Sequence, residues 1–283
     1  MWWGVHDASI LALYQPENEP YGAIHWQTFP EPDQHELFRS LFRLEVSLDA
    51  LYSEWISRDP VIAPAVEAFR GLRIMRQNVH ECFFGFQCAS CNTVVKIERS
   101  VAKLAERYGD PLPLPEWHGG KSMFAFPSPA QLSIADEAHL RADLWGFRAP
   151  RVISLARTLH EAGEDWLATL RRLPYEDAHS KLTSLNGIGA KVADCICLFC
   201  LDKDDAVPID THTRQIATRL FDTSLSGSSL TPRVYRALAE MYRSRFGAFA
   251  GWAQQYLFFA ELRRSEQYSI RTKGSSLPAP CLV

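Results

Sequence analysis

Apolar and polar positions change their period once along this chain. Up to about residue 27 the sequence is rich in β-favouring residues, and 10–14 and 21–26 read as two strands across the turn Gln15-Pro16-Glu17-Asn18-Glu19-Pro20. From Glu31-Pro32-Asp33 onward, apolar residues recur at helical spacing, interrupted by Pro- or Gly-bearing breaks. The pattern predicts a long helical stretch after Asp33, then helices over 60–72, 78–108, 130–135, 149–162, 175–185, 190–201, 211–221, 232–246 and 250–265. The fold class expected is mainly α with a small N-terminal β portion (α+β). It divides into an N-terminal α+β domain over 1–78, a helical body over 79–265 and a flexible tail over 266–283, Ser/Pro-rich from Lys273 on.

Composition narrows the possibilities. With 283 residues, 47% hydrophobic and 22% charged, the chain can bury one large or two modest cores and matches neither a disordered nor a fibrous protein. Its longest apolar runs, such as 195–201, fall far short of the roughly 18–20 residues that span a bilayer, so no membrane partner is expected. The first residues lack a basic region and a long apolar stretch, and seven cysteines are an odd number in a chain too large to need disulfide staples. An intracellular, reduced protein is expected, nuclear in a eukaryote and cytoplasmic or nucleoid-associated in a prokaryote. The net charge of −3 weighs against nucleic acid, yet residues 1–54 alone carry nine acids against Arg39 and Arg43, a balance of −7 that leaves +4 for the rest. A locally basic face is compatible with these numbers.

The most informative segment is 182–195, Leu-Thr-Ser-Leu-Asn-Gly-Ile-Gly-Ala-Lys-Val-Ala-Asp-Cys. Apolar Leu182 and Leu185 end one helix, Gly187 and Gly189 make a tight turn, and Val192 and Ala193 resume on a second helix. The arrangement reads as a helix-hairpin-helix, whose open backbone N–H groups and positive dipole end suit a DNA phosphate without reading base sequence. An ordinary helix connection with a C-terminal glycine is the alternative. Lys191 sits in the first turn of the second helix, where the dipole disfavours an ammonium, and a neutral amine is a nucleophile. Val207-Pro208-Ile209-Asp210-Thr211-His212 places an acid at the start of the next helix, either as a plain N-cap or as the partner of Lys191 in one cleft.

These segments, together with Gly146-Phe147-Arg148-Ala149 and Ala250-Gly251-Trp252-Ala253-Gln254, resemble the helix-hairpin-helix DNA glycosylases, and within them the eukaryotic-type 8-oxoguanine DNA glycosylase/AP lyase family. The resemblance runs from about residue 3 to 264. It implies the helix-hairpin-helix glycosylase fold and a bifunctional enzyme of base excision repair acting on damaged double-stranded DNA. In the family's chemistry Lys191 attacks C1′ of a flipped nucleotide and forms a Schiff base that leads to β-elimination, while Asp210 stabilises charge on the sugar. The resemblance also implies that Cys195 and Phe258 sandwich the base, that Gln254 reads its edge, and that His212 contacts a phosphate beside the lesion. Cys195 follows Lys191 by four residues, as Phe258 follows Gln254, so each pair shares a helical face. The resemblance further implies that Phe147 and Arg148 fill the gap left behind and that Asn92 and Lys96 face the orphaned base.

Two departures qualify the match. Cys91 and Lys96 stand where the family has an asparagine and an arginine that hold the orphaned cytosine, so a weaker preference for cytosine is expected. The family's Ser-Gly-Gln-x-Phe-x-Trp segment, which tells 8-oxoguanine from guanine, precedes Trp3 in the family and is not in this sequence, and an upstream strand is therefore expected. A four-thiolate zinc site from Cys88-x-x-Cys91 and Cys197-x-x-Cys200 is disfavoured because both pairs fall in apolar helical stretches, so neither metal nor cofactor is expected. Other readings are a monofunctional glycosylase for alkylated or mismatched bases and a non-catalytic DNA-binding module. Nothing in the sequence demands a dimer, and a monomer is expected.

Overall fold

The computed structural model describes residues 1–16, 22–88, 93–115, 122–222 and 229–273, with side chains to residue 263 except that of Val94. An antiparallel sheet of β1 (Trp2–His6), β2 (Ser9–Tyr14) and β3 (His25–Phe29), in that spatial order, opens the chain. Leu13 of β2 lies opposite Trp2 on one side and Trp26 on the other. Central β2 buries Ile10, Leu11 and Ala12, as expected for a strand covered on both faces. The sequence reading of two strands is corrected here: there are three, and the last is His25–Phe29 rather than 21–26. It is fixed by Trp26 stacked on Phe38 at 4.5 Å and by Thr28, whose hydroxyl donates to Glu31 O at 2.7 Å and accepts from Gln34 N.

The long helix expected after Asp33 is two helices, α1 (His35–Leu41) and α2 (Leu48–Arg58). Between them Arg43 adopts a left-handed backbone (φ 51°), which turns its guanidinium inward onto both carboxylate oxygens of Asp204. Asp204 also accepts from Trp252 Nε1 at 2.8 Å, and its carbonyl accepts from Gly251 N at 2.8 Å. A Cβ at Gly251 would lie 2.3 Å from Ala206 O, so this close approach requires glycine. The cluster ties the N-terminal residues to the helical body, as does Tyr256, whose hydroxyl pairs with Tyr52 and donates to Leu72 O.

The chain continues through α3 (Ala63–Ala68), α4 (Val79–Cys88), α5 (Val94–Tyr108), the short pair β4 (Pro111–Leu112) and β5 (Met123–Phe124), α6 (Pro129–Ser133), α7 (Glu137–Leu140), α8 (Ala149–Ala162), α9 (Trp166–Thr169), α10 (Tyr175–Thr183), α11 (Ala190–Cys200), α12 (Thr211–Leu220), α13 (Pro232–Phe246) and α14 (Ala250–Lys273). The stretch 78–108 is thus divided into α4 and α5, and α14 runs beyond residue 265. Helices α8 and α13 begin and end where the sequence indicates, because proline opens each and a positive-φ glycine, Gly163 or Gly247, closes it. The architecture is mainly helical with a small N-terminal sheet, as expected.

Helix α11 is apolar on nearly every side and lies at the centre, against α4 and α10. Helix α14 packs on α3, α12 and α13. Among the described residues, no helix is long and apolar enough to cross a membrane.

Candidate active site

Leu182 and Ile188 are buried on either side of the hairpin and anchor it to the core. Leu185 N donates to Leu182 O and Ile188 N to Leu185 O, both at 3.1 Å, which closes the turn. Gly187 holds φ 85°, and a Cβ there would stand 2.6 Å from the Arg151 side chain. Gly189 is the N-cap of α11 and supplies no side-chain acceptor, so the first turn of α11 opens without a cap of its own. The sequence-derived hairpin is therefore present in geometry, with Arg151 lying across it.

Lys191 follows in that first turn, half-buried, its Nζ 5.7 Å from the centre of the Phe86 ring. One turn on along the same face of α11, Cys195 is 3% exposed. Burial pushes the Cys195 thiol up to about 12, opposed by the positive charge of Lys191 and reinforced by the negative charges of Asp194 and Asp210. Cys195 is thus a neutral thiol at physiological pH, and the field of Asp210 reaches it. Lys191, Cys195 and Asp210 share one neighbourhood.

Asp210 is the N-cap of α12 and accepts from Thr213 N at 2.7 Å. Thr213, 1% exposed, also accepts through its hydroxyl from Gln254 Nε2 at 2.8 Å. Gln254 is itself 1% exposed, and its Oε1 accepts from Gln255 Nε2 at 2.7 Å. A continuous chain of hydrogen bonds therefore joins Gln255, Gln254, Thr213 and Asp210. Phe258, one turn after Gln254 and half-buried, meets the exposed His212 edge-to-face at 6.1 Å. The start of α12 thus collects Asp210, His212, Gln254 and Phe258 from two helices.

The remaining candidates lie farther out. Phe147 is 71% exposed in a single 3-10 turn, Gly146–Arg148, with the Arg148 guanidinium 4.4 Å above its ring. Lys96 is exposed on α5. Asn92 and Cys91 lie outside the described residues. Cys197 and Cys200 are buried within α11 and Cys88 ends α4.

Sequence reasoning passed over Asp194, which is fully buried on the helix that carries Lys191. Its carboxylate accepts from Tyr175 Oη at 2.6 Å and Tyr235 Oη at 2.5 Å, with His179 Nε2 at 3.8 Å. Burial pushes its pKa up, and the two tyrosine hydrogen bonds pull it back. Tyr235 Oη also accepts from Ile209 N at 3.2 Å, one residue before Asp210. The signal was an acid within the apolar run 192–201; its partners could not be read from spacing.

A family model described as "8-oxoguanine DNA glycosylase, N-terminal domain" matches residues 1–83. The chain is 36% identical over 245 residues to the N-glycosylase/DNA lyase OGG1 of Arabidopsis thaliana, an alignment covering 84% of this chain and 65% of that protein. Over most of its length it is similar to 8-oxoguanine DNA glycosylases. A second relative, the N-glycosylase/DNA lyase of Saccharomyces cerevisiae, is 33% identical over 78% of this chain and 65% of its own length. The chain thus spans about two thirds of these relatives. Family resemblance extends to the fold: the Clostridium acetobutylicum 8-oxoguanine glycosylase/lyase, solved with double-stranded DNA containing cytosine opposite 8-oxoG, superposes with a TM-score of 0.79 at 24% identity, covering 93% of this chain and 85% of that one.

Proposed function

We propose that this chain is a bifunctional DNA glycosylase/AP lyase that excises 8-oxoguanine, or a related oxidised purine, from duplex DNA in base excision repair inside the cell. The observation that carries the reading is the tie between the Lys191 helix and the Asp210 turn: Tyr235 donates to Asp194, on the helix of Lys191 and Cys195, and accepts from Ile209 N, next to Asp210. Phosphate binding by a hairpin requires neither Lys191 nor Asp210. The similarity to N-glycosylase/DNA lyases supports the same chemistry.

In this reading the hairpin at Gly187 and Gly189 and the side chain of His212 hold phosphates, and the damaged nucleotide swings out of the duplex at a cost of a few kcal/mol. Cys195 and Phe258 take the base between them and Gln254 reads its Watson-Crick edge. The lone pair of Lys191 Nζ attacks C1′; the C1′–N9 bond breaks, and the base leaves with the electron pair and takes up a proton. Asp210 stabilises the positive charge that develops on the sugar and accepts the proton lost by the lysine. Opening of the sugar ring gives a Schiff base, loss of a C2′ proton expels the 3′ phosphate, and water releases Lys191. Phe147 and Arg148 fill the vacated position, while Asn92 and Lys96 face the opposite base with a weakened preference for cytosine. All of these residues come from one chain, consistent with a monomer.

The test is base release and strand cleavage on duplexes carrying 8-oxoguanine opposite each of the four bases, beside an undamaged duplex and one carrying an alkylated purine. The proposal expects free 8-oxoguanine and a cleaved strand, with modest discrimination among opposing bases. Release of the alkylated base alone without cleavage indicates a water-using glycosylase; equal binding of all duplexes with none altered indicates a binding module.

A further inference from the structure

Leu144 adopts φ 74° and ψ 3°, a left-handed conformation that a leucine rarely takes, and it is 48% exposed. Its neighbours explain how it is held there. Asp143, 8% exposed, is gripped by Arg107, whose Nη2 donates to Oδ1 at 3.0 Å. Trp145 is fully buried and donates through Nε1 to Ser100 O at 3.2 Å. Gly146 at φ 51° then turns the chain into the Phe147–Arg148 step. Two residues rooted in the core thus flank a leucine displayed to solvent, and three residues on stands Phe147, 71% exposed.

Neither the strained backbone nor the exposed isobutyl group helps this chain fold, since leucine in that position gains no burial and incurs the steric cost that glycine avoids. The same turn opens α8, whose Arg151 lies across Gly187 of the hairpin. Leu144 and Phe147 therefore project from a rigid turn on the element that abuts the hairpin. Apolar side chains in such a setting match the wedges that enter between stacked bases and offset the cost of unstacking them.

We propose that Leu144 is a second wedge, beside Phe147, that contacts the base step next to the extruded nucleotide. This inference rests on the glycosylase reading above. The experiment uses duplex DNA with 8-oxoguanine opposite cytosine and 2-aminopurine beside the lesion. Nucleotide extrusion is followed by stopped-flow fluorescence in Lys191→Gln protein, which stops before chemistry, and thermal denaturation is recorded for each variant. Leu144→Gly is expected to keep or raise the melting temperature, because the strain is gone, and to slow extrusion about tenfold through loss of an apolar wedge. Leu144→Met retains the apolar group and is expected to extrude at close to the parent rate. Unchanged extrusion in Leu144→Gly overturns the proposal, as does a slowing accompanied by a large fall in melting temperature, which would make Leu144 a packing residue. A parent protein with no lesion-dependent signal defeats the glycosylase reading itself, and this inference with it.

Discussion

Tyr235 binds Asp194 with its hydroxyl proton and Ile209 N with its hydroxyl oxygen, so a single side chain of α13 ties the Lys191 helix to the Asp210 turn. Each partner is next to a proposed active-site residue: Asp194 precedes Cys195 and Ile209 precedes Asp210. Tyr235→Phe removes both bonds and leaves a buried carboxylate oxygen short of a donor, a loss of about 1–3 kcal/mol. We expect lower stability in urea and single-turnover excision slowed roughly tenfold, equivalent to about 1.4 kcal/mol, with DNA affinity little changed. Excision at the parent rate would show that the separation of Lys191 and Asp210 is set elsewhere.

Thr213 serves Asp210 through its amide and Gln254 through its hydroxyl. Thr213→Val keeps the first contact and the shape but strands the Gln254 amide in the interior, at about 1–3 kcal/mol. The expected result is a selective defect: cleavage at a preformed abasic site proceeds normally, while excision of the damaged base falls. Parallel loss of both activities would assign Thr213 to Asp210 alone.

How far the sequence discloses this site depends on the range of each interaction. The hairpin turn is legible because Gly187 and Gly189 punctuate an apolar pattern, and the start of α12 is legible because Asp210 follows a Pro-bearing extended stretch. The Asp194 network is not, since Tyr175 and Tyr235 lie 19 and 41 residues away, and the Thr213 to Gln254 bond spans 41 residues. No periodicity encodes such pairs. The three-stranded sheet is only partly legible because central β2 is a continuous apolar run flanked by short, aromatic strands, which lack the length for a clear alternation.

Gly187→Ala introduces a side chain at φ 85° and forces Arg151 aside. A loss of about 1–3 kcal/mol in stability is expected from the backbone alone. Displacing the turn also disturbs the open N–H groups of α11, so binding should weaken about equally for damaged and undamaged duplexes, as befits a phosphate contact. Fluorescence anisotropy on both duplexes checks this; a loss confined to the damaged one would contradict it.

Glu81, in the first turn of α4, is pushed up to about 7 by burial, with a smaller contribution from Asp7. Between its ordinary value of 4.5 and about 7 the folded chain keeps a proton that the unfolded chain has lost, so this group's contribution to stability falls as pH rises across that window. Glu81→Gln should therefore match the parent near pH 5 and exceed it near pH 8, by about 2–4 °C in melting temperature for each kcal/mol. Calorimetry at the two pH values decides it; an equal gain at both would mean that burial of Glu81 is not coupled to its charge.

The central claim is that Lys191 forms a covalent bond to the sugar of a damaged nucleotide, and borohydride reduction of the reaction tests it most directly. With a duplex bearing 8-oxoguanine opposite cytosine we predict a trapped protein–DNA adduct, absent with undamaged duplex and absent in Lys191→Gln. Release of 8-oxoguanine with no adduct, or an adduct that persists in Lys191→Gln, would contradict the account.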